Sequence, residues 1–347
     1  MRSAPFFSFR FSFRFSFRDI DVTALAAGAL AAGLAATCLM AAVVAQAQQK
    51  YPSRAIRLVL PFPPGGSTDI VARVVTQRLS ENWGQPVLID NRPGASGNVA
   101  AELVARAAPD GYTLFQVNVA NAIAASLFPK LGYSLTGDFV AITQLATTPY
   151  ALLAHPGVPA KTVRELLALA RARPGQLNYA SAGPGSATHL SGELINALAG
   201  VNMVHIPYKG TGPALTALLS GEVDLYFATV PSAVPMVKAG KLRVLAVSSA
   251  KRASLMPEVP TMAEGGLKGF DTGTWHGVLA PVATPSEIVG ALASELVRVL
   301  NQPDIRDRLI TQGLEPVADT PEQFAAFIRA EIVKWEKLVR ASGARPD

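Results

Sequence analysis

A strand that runs into a Pro/Gly loop and leaves it as a helix admits few architectures, and residues 56–79, IRLVLPFPPGGSTDIVARVVTQRL, have this form. Ile56, Leu58, Val59 and Leu60 make a short apolar strand, which the prolines and glycines of 61–66 end. A helix is predicted from Ser67 or Thr68, with Ile70, Val71, Val74, Val75 and Leu79 at helical spacing on one buried face. Its first turn carries free N–H groups and the positive end of the helix dipole, which suit a carboxylate or phosphate. Gly65 and Gly66 let a ligand approach the backbone closely. The plainer reading of the same residues is a crossover turn in which Asp69 serves the helix dipole.

The amino terminus reads as export machinery. FSFR occurs three times in succession over residues 7–18, and an uncharged, Ala/Leu-rich run follows over 22–45. The run is long enough to span a bilayer. Ala45-Gln46-Ala47 then supplies a small-x-small cleavage site, so residues 1–47 are expected to be a cleaved signal peptide and Gln48 the mature start. Cys38, the one cysteine, lies in that leader. The mature chain therefore has no thiol chemistry, disulfide or thiolate metal site. Removing 1–47 takes away four arginines and two aspartates, which lowers the net charge from +6 to +4. No Lys/Arg cluster is interleaved with aromatics, so nucleic acid is not an expected partner.

The strand–loop–helix unit recurs. Residues 86–90 (PVLID) read as a strand, 91–98 (NRPGASGN) as a Gly-rich turn, 99–107 as a helix and 110–118 as a third strand, an alternation that argues for a parallel, doubly wound sheet. Ligands in such sheets sit at the carboxyl ends of strands, where Asn118 and Asn121 leave the third strand. The apolar stretch 138–156 exceeds a typical strand of about 5–6 residues. It is read as two strands joined by a crossover near Thr148-Pro149. A helix over 161–173 follows, then LNYASAGPGSATHLSGELINALAG (177–200), a second strand, Gly/Ser loop and helix. Further strands are predicted near 202–210, 222–229, 242–249 and 275–281. Thr284-Pro285-Ser286-Glu287 and Thr320-Pro321-Glu322-Gln323 both have capping-box form. Phe324, Phe327, Ile328, Ile332, Trp335 and Val339 mark the apolar face of a long last helix.

Two such loops, one in each half, would bring two helix N-termini to one cleft. Ser181, Gly183, Gly185, Ser186 and Thr188 offer N–H or hydroxyl donors, and neither loop contains Lys or Arg. A dinucleotide loop is disfavoured because the third glycine and an acidic partner about 20 residues on are missing. Ser186 with His189 has the composition of a nucleophile and base, but no orienting carboxylate and no Gly-x-Ser-x-Gly elbow accompany it. His155, His189, His205 and His276 have no metal-ligand spacing. Neither metal nor cofactor is expected.

The motifs PFPPGGSTD (61–69), NRPGASGN, APDGYTL (108–114), ARPGQLNYASAGPGSATHL (172–190), VHIPYKG (204–210), AGKLRVLAVSSAKR (239–252) and VPTMAEGG (259–266) occur in this order. Together they resemble the Bug family, the periplasmic solute-binding receptors of tripartite tricarboxylate transporters. The resemblance implies a type II periplasmic-binding-protein fold, α/β, with two doubly wound domains and a ligand cleft between them. The boundaries expected are 48–148 and 273–347 for one domain and 149–272 for the other, with a hinge where the chain crosses near Thr148-Pro149 and Gly273-Thr274. The resemblance also implies contacts to a carboxylate-bearing ligand from Pro64, Gly65, Gly66, Ser67, Thr68 and Asp69 in the first loop. Ser181, Gly183, Gly185, Ser186, Thr188 and His189 are their counterparts in the second, and Asn118 is an added candidate. Pro63 departs from the pattern, since many members carry a small residue there, and the FSFR repeat has no place in it. The expected role is a monomeric receptor, not an enzyme, serving membrane permease subunits. A ligand-presenting protein for a sensor kinase is the alternative, followed by a hydrolase using Ser186 and His189.

Overall fold

The computed structural model describes residues 51–345, which fall in a single unit, Tyr51–Asp347. The expected leader, its cleavage site and Cys38 lie outside the described residues.

The first unit forms as its sequence dictates. β1 (Ile56–Leu60) ends at the prolines, and α1 (Ser67–Trp83) lays Val71, Val74, Val75 and Leu79 against the sheet. β2 (Val87–Asn91), α2 (Asn98–Ala105), β3 (Thr113–Asn118) and α3 (Val119–Leu127) complete the amino-terminal alternation. β1 pairs in parallel with β2 on one side and β3 on the other. β4 (Phe139–Ala154) is followed by α4 (Val163–Ala172), β5 (Asn178–Ser181), α5 (Ala187–Ala199), β6 (Val204–Pro207), α6 (Thr211–Ser220), β7 (Leu225–Thr229), α7 (Val230–Lys238) and β8 (Arg243–Val247). Here too β5 pairs in parallel with both β6 and β7. The chain returns through β9 (Gly273–Pro281) and closes with α8 (Ser286–Leu300), α9 (Pro303–Thr311), β10 (Glu315–Pro316) and α10 (Pro321–Ser342).

The strand order is β2-β1-β3-β9-β4-β7-β5-β6, and its middle is antiparallel. β9 pairs antiparallel with β3 and β4, and β4 pairs antiparallel with β7, β8 and β10. Parallel pairing therefore holds in the two outer groups of strands but not at the centre, where the returning β9 runs against its neighbours.

One expectation is corrected. Residues 138–156 do not break near Thr148-Pro149 into two strands; β4 is one strand of 16 residues. It passes from β9, opposite residues 139–149, to β7 and β8, opposite 150–154, without a crossover. Pro149 is accommodated because it faces Gly273, and the strands meet so closely that a Cβ at Gly273 would lie 2.9 Å from the Thr148 carbonyl oxygen. Of the two capping boxes, only that of Thr320 and Gln323 forms. Thr284 instead donates its hydroxyl to the Pro281 carbonyl at 2.7 Å, and Pro285 becomes the N-cap of α8. On α10, Phe324, Ile328, Trp335 and Val339 are buried. Trp275 and Trp335 each donate an indole N–H to Glu331 Oε2 at 2.8 Å, which fixes α10 on β9.

Candidate functional site

The first loop is held from behind. Asp69, 3% exposed, accepts the Gly65 N–H at 3.1 Å and two bonds from Arg73, at 2.8 and 3.1 Å. Burial raises the Asp69 carboxyl, but the Arg73 and Gly65 hydrogen bonds outweigh it and hold the group below the usual carboxylate range. The carboxylate is thus turned into its own loop and lines neither cleft cavity. Gly65 has φ +94°, the conformation that favours glycine, whereas Gly66, the N-cap of α1, is extended at φ −83°. Thr68 is buried behind this loop, its carbonyl accepting from Gln116 at 2.9 Å. Pro64 is exposed at the loop tip.

The second loop holds itself by the same device. Ser186 caps α5, accepting the His189 N–H at 3.2 Å while donating to the Gly183 carbonyl at 2.7 Å. Thr188 Oγ1 accepts the Ala182 N–H at 3.0 Å, and His189 Nδ1 accepts the Gly185 N–H at 3.0 Å. Ser181, fully buried, bonds His205 Nε2 at 2.6 Å. The rings of His189 and His205 stack with centroids 3.8 Å apart. Burial lowers His189, and burial together with the neighbouring His189 lowers His205 to about 4, so both rings are uncharged at neutral pH. This geometry removes the Ser186–His189 dyad. The Ser186 hydroxyl serves the backbone, the imidazole Nδ1 is occupied by Gly185, and no hydrogen bond joins the Ser186 hydroxyl to the His189 ring.

Three further helices open here. α3 starts at Asn118, which accepts the Ala120 N–H at 2.9 Å and forms a capping box with Asn121. α6 starts at Thr211 after Gly210, and α7 starts after Thr229 with a proline in its first turn. Sequence reasoning missed all three as helices, although Asn118 with Asn121, Gly-Thr-Gly-Pro over 210–213 and Thr-Val-Pro over 229–231 are helix-opening signals.

Two adjoining cavities occupy the cleft. One, about 460 Å³, is lined by Asn118, Gly183, Gly185, Ser186 and Thr188 together with apolar side chains. The other, about 510 Å³, is lined by Gly65 and Gly66 with the first turns of α6 and α7. They share Ser67, Thr211, Tyr226 and Thr229 as a common waist. The first turns of α1, α3, α5, α6 and α7 therefore all reach the cleft, and among the described residues no Asp, Glu, Lys, Arg or His lines either cavity. Ser181, His189, Thr68 and Asp69 shape the loops from outside the lining. Such a site presents hydrogen-bond donors and half-charges of helix dipoles to an anion, and it lacks a base, nucleophile or metal-ligand set.

Similarity to known proteins points the same way. The family model described as "Tripartite tricarboxylate transporter family receptor" matches residues 71–344. The protein BugT of Bordetella pertussis is 37% identical over 297 residues, 85% of this chain and 91% of BugT. The solved structure of R. palustris Rpa4515 with adipate is 37% identical with a TM-score of 0.74, covering 86% of this chain and 100% of that one. MatC from Rhodopseudomonas palustris, with bound malate, is 39% identical with a TM-score of 0.69, covering 83% and 100%.

Proposed function

Because the chain belongs to the tripartite tricarboxylate transporter receptor family, we propose that its cleft captures a small carboxylate-bearing ligand and hands it to the membrane permease subunits of such a transporter. The family consists of periplasmic solute-binding receptors rather than enzymes. One observation carries the ligand reading: five helix first turns meet at a cleft whose lining, among the described residues, holds no Asp, Glu, Lys, Arg or His. The adipate and malate carried by the R. palustris relatives are ligands of this kind. Direct contacts are assigned to Gly65, Gly66, Ser67, Asn118, Gly183, Gly185, Ser186 and Thr188, and loop support to Pro64, Thr68, Asp69, Ser181 and His189.

In this reading the segments 48–148 and 273–347 move as one lobe and 149–272 as the other. They hinge where Thr148 faces Thr274 and Pro149 faces Gly273. The receptor acts as a monomer in the periplasm after cleavage at Ala47. Calorimetric titration of the exported protein with adipate, malate and citrate tests the ligand claim. Saturable binding of at least one acid, without turnover, is expected. A folded protein that binds none of them contradicts it. Mass spectrometry of the exported protein tests processing, with Gln48 as the expected first residue.

A further inference from the structure

The two cavities differ in chemistry. Around the waist and Gly65–Gly66 the walls are mostly backbone, hydroxyls and small side chains, with Ile70 and Leu215 the large aliphatic exceptions. The other cavity adds four large apolar side chains to its walls, Phe62, Ile123, Leu127 and Phe128. α3 supplies both characters. Its first turn offers the N–H of Val119, those of Asn118 and Ala120 being taken by the Asn121 and Asn118 side chains, and Ile123 and Leu127, four residues apart, share one face a turn further on. Leu127 also seals the compartment against the second loop, since a Cβ on Gly185 would lie 2.6 Å from Leu127 Cδ2. Two buried hydroxyls beside the waist make no hydrogen bond within the protein: that of Tyr226, 1% exposed, and that of Thr148, 1% exposed. Burial keeps the Tyr226 phenol protonated, hence a donor. A buried donor of this type calls for an acceptor.

We propose that the ligand is an amphipathic carboxylate. Its carboxylate sits at the waist among Ser67, Thr211, Thr229 and Tyr226, and its uncharged alkyl or aryl body fills the compartment of Phe62, Ile123, Leu127 and Phe128. The inference rests on the carboxylate-receptor reading and narrows it. A compact polyanion such as citrate would bring further carboxylates against apolar walls with no cation in the lining, where an unpaired charge is strongly disfavoured. A single carboxylate with an apolar tail satisfies the orphan hydroxyls and removes apolar surface from water at both partners.

Calorimetry of the exported protein with 3-phenylpropionate, hexanoate, malate and citrate tests this. Both tailed monocarboxylates should bind at least about tenfold more tightly than citrate, the factor that about 1.4 kcal/mol represents. Phe62→Ser should lower the ratio of 3-phenylpropionate to malate affinity on the order of tenfold, as expected for withdrawing part of an aromatic wall. The Phe62 carbonyl, which accepts from Asn91 at 2.8 Å, is retained in that variant, so the loop keeps its anchor. The ranking of acids on the unmodified protein tests the inference even if the variant fails to fold. Citrate or malate binding more tightly than both tailed acids overturns it while leaving the carboxylate reading intact. Failure of every carboxylate to bind overturns both.

Discussion

Gly185→Ala measures how tightly the second loop is specified. Gly185 has φ +69°, and a Cβ placed there meets Leu127 Cδ2 at 2.6 Å and Cδ1 at 2.9 Å. Two costs separate. The left-handed backbone disfavours alanine by about 1–2 kcal/mol, and forcing a methyl group onto Leu127 adds about 1–3 kcal/mol of overpacking. Unfolding free energy by urea titration should therefore fall by roughly 2–5 kcal/mol in the single variant. In Gly185→Ala/Leu127→Ala the steric part is relieved and the backbone part is not, so the pair should couple favourably by about 1–3 kcal/mol beyond the sum of the single changes. Gly66→Ala is the control, because Gly66 is extended and a Cβ there meets nothing within 4 Å; it should cost about 1 kcal/mol or less, the preference for glycine over alanine at an N-cap. A Gly185→Ala protein as stable as the parent, or a double variant showing no coupling, would refute this account of the loop.

Further outcomes follow from three groups outside the cavity lining. Asp69→Ala should destabilise the first loop by about 1.5–3 kcal/mol, the range for a hydrogen bond to a charged group, because the Gly65 N–H loses its acceptor. Asp69→Asn should leave the order of ligand affinities unchanged, since the carboxylate points at Gly65 and Arg73; because the folded group titrates below the usual range, its stabilisation is complete above about pH 4 and is lost as pH falls through the folded value, which urea midpoints against pH would record. Glu331→Ala strands two buried indole N–H groups and should cost about 2–6 kcal/mol in urea unfolding, while Glu331→Gln, which keeps an acceptor oxygen, should cost clearly less. His276 is fully buried and burial lowers it to about 3, so the folded ring stays neutral while the unfolded chain takes up a proton below about pH 6.5. His276 alone should then lower stability by about 1.4 kcal/mol per pH unit below that point, with buried His189 and His205 adding to the slope, and a nuclear magnetic resonance titration showing the His276 ring protonating near pH 6.5 would contradict it.

The outer parts of the fold were legible because their signals are local. Apolar runs such as IRLVL and LFQVN end at Gly, Pro or Asn, so β1, β3 and β5 and the helices α1 and α5 fall where the pattern puts them, whereas α3, which follows β3 directly, was not read as a helix. The antiparallel centre was not legible: β4 pairs with β9, more than a hundred residues later, and nothing within either strand records the other's direction. Pro149 read as a break because a proline is ordinarily excluded from a central strand; its tolerance depends on Gly273, far away in sequence. In the site, the loops around Gly65 and Gly185 were visible from their glycines, whereas α6 and α7 were hidden by the prolines at 213, 231 and 235, which read as breakers although those at 213 and 231 sit in first turns. The inward turn of Asp69 was written in the sequence after all, as an aspartate four residues before Arg73.

Recognition of a carboxylate by helix N-termini in a cleft free of charged lining is the central claim, and a crystal structure of the exported protein with a bound carboxylate such as adipate tests it most directly. The account predicts carboxylate oxygens about 2.7–3.2 Å from backbone N–H groups or hydroxyls of the loops and first turns that line the two cavities, with no Lys or Arg within about 4 Å. A carboxylate ion-paired to a lysine or arginine, or seated away from the loops and first turns that line these cavities, would contradict it.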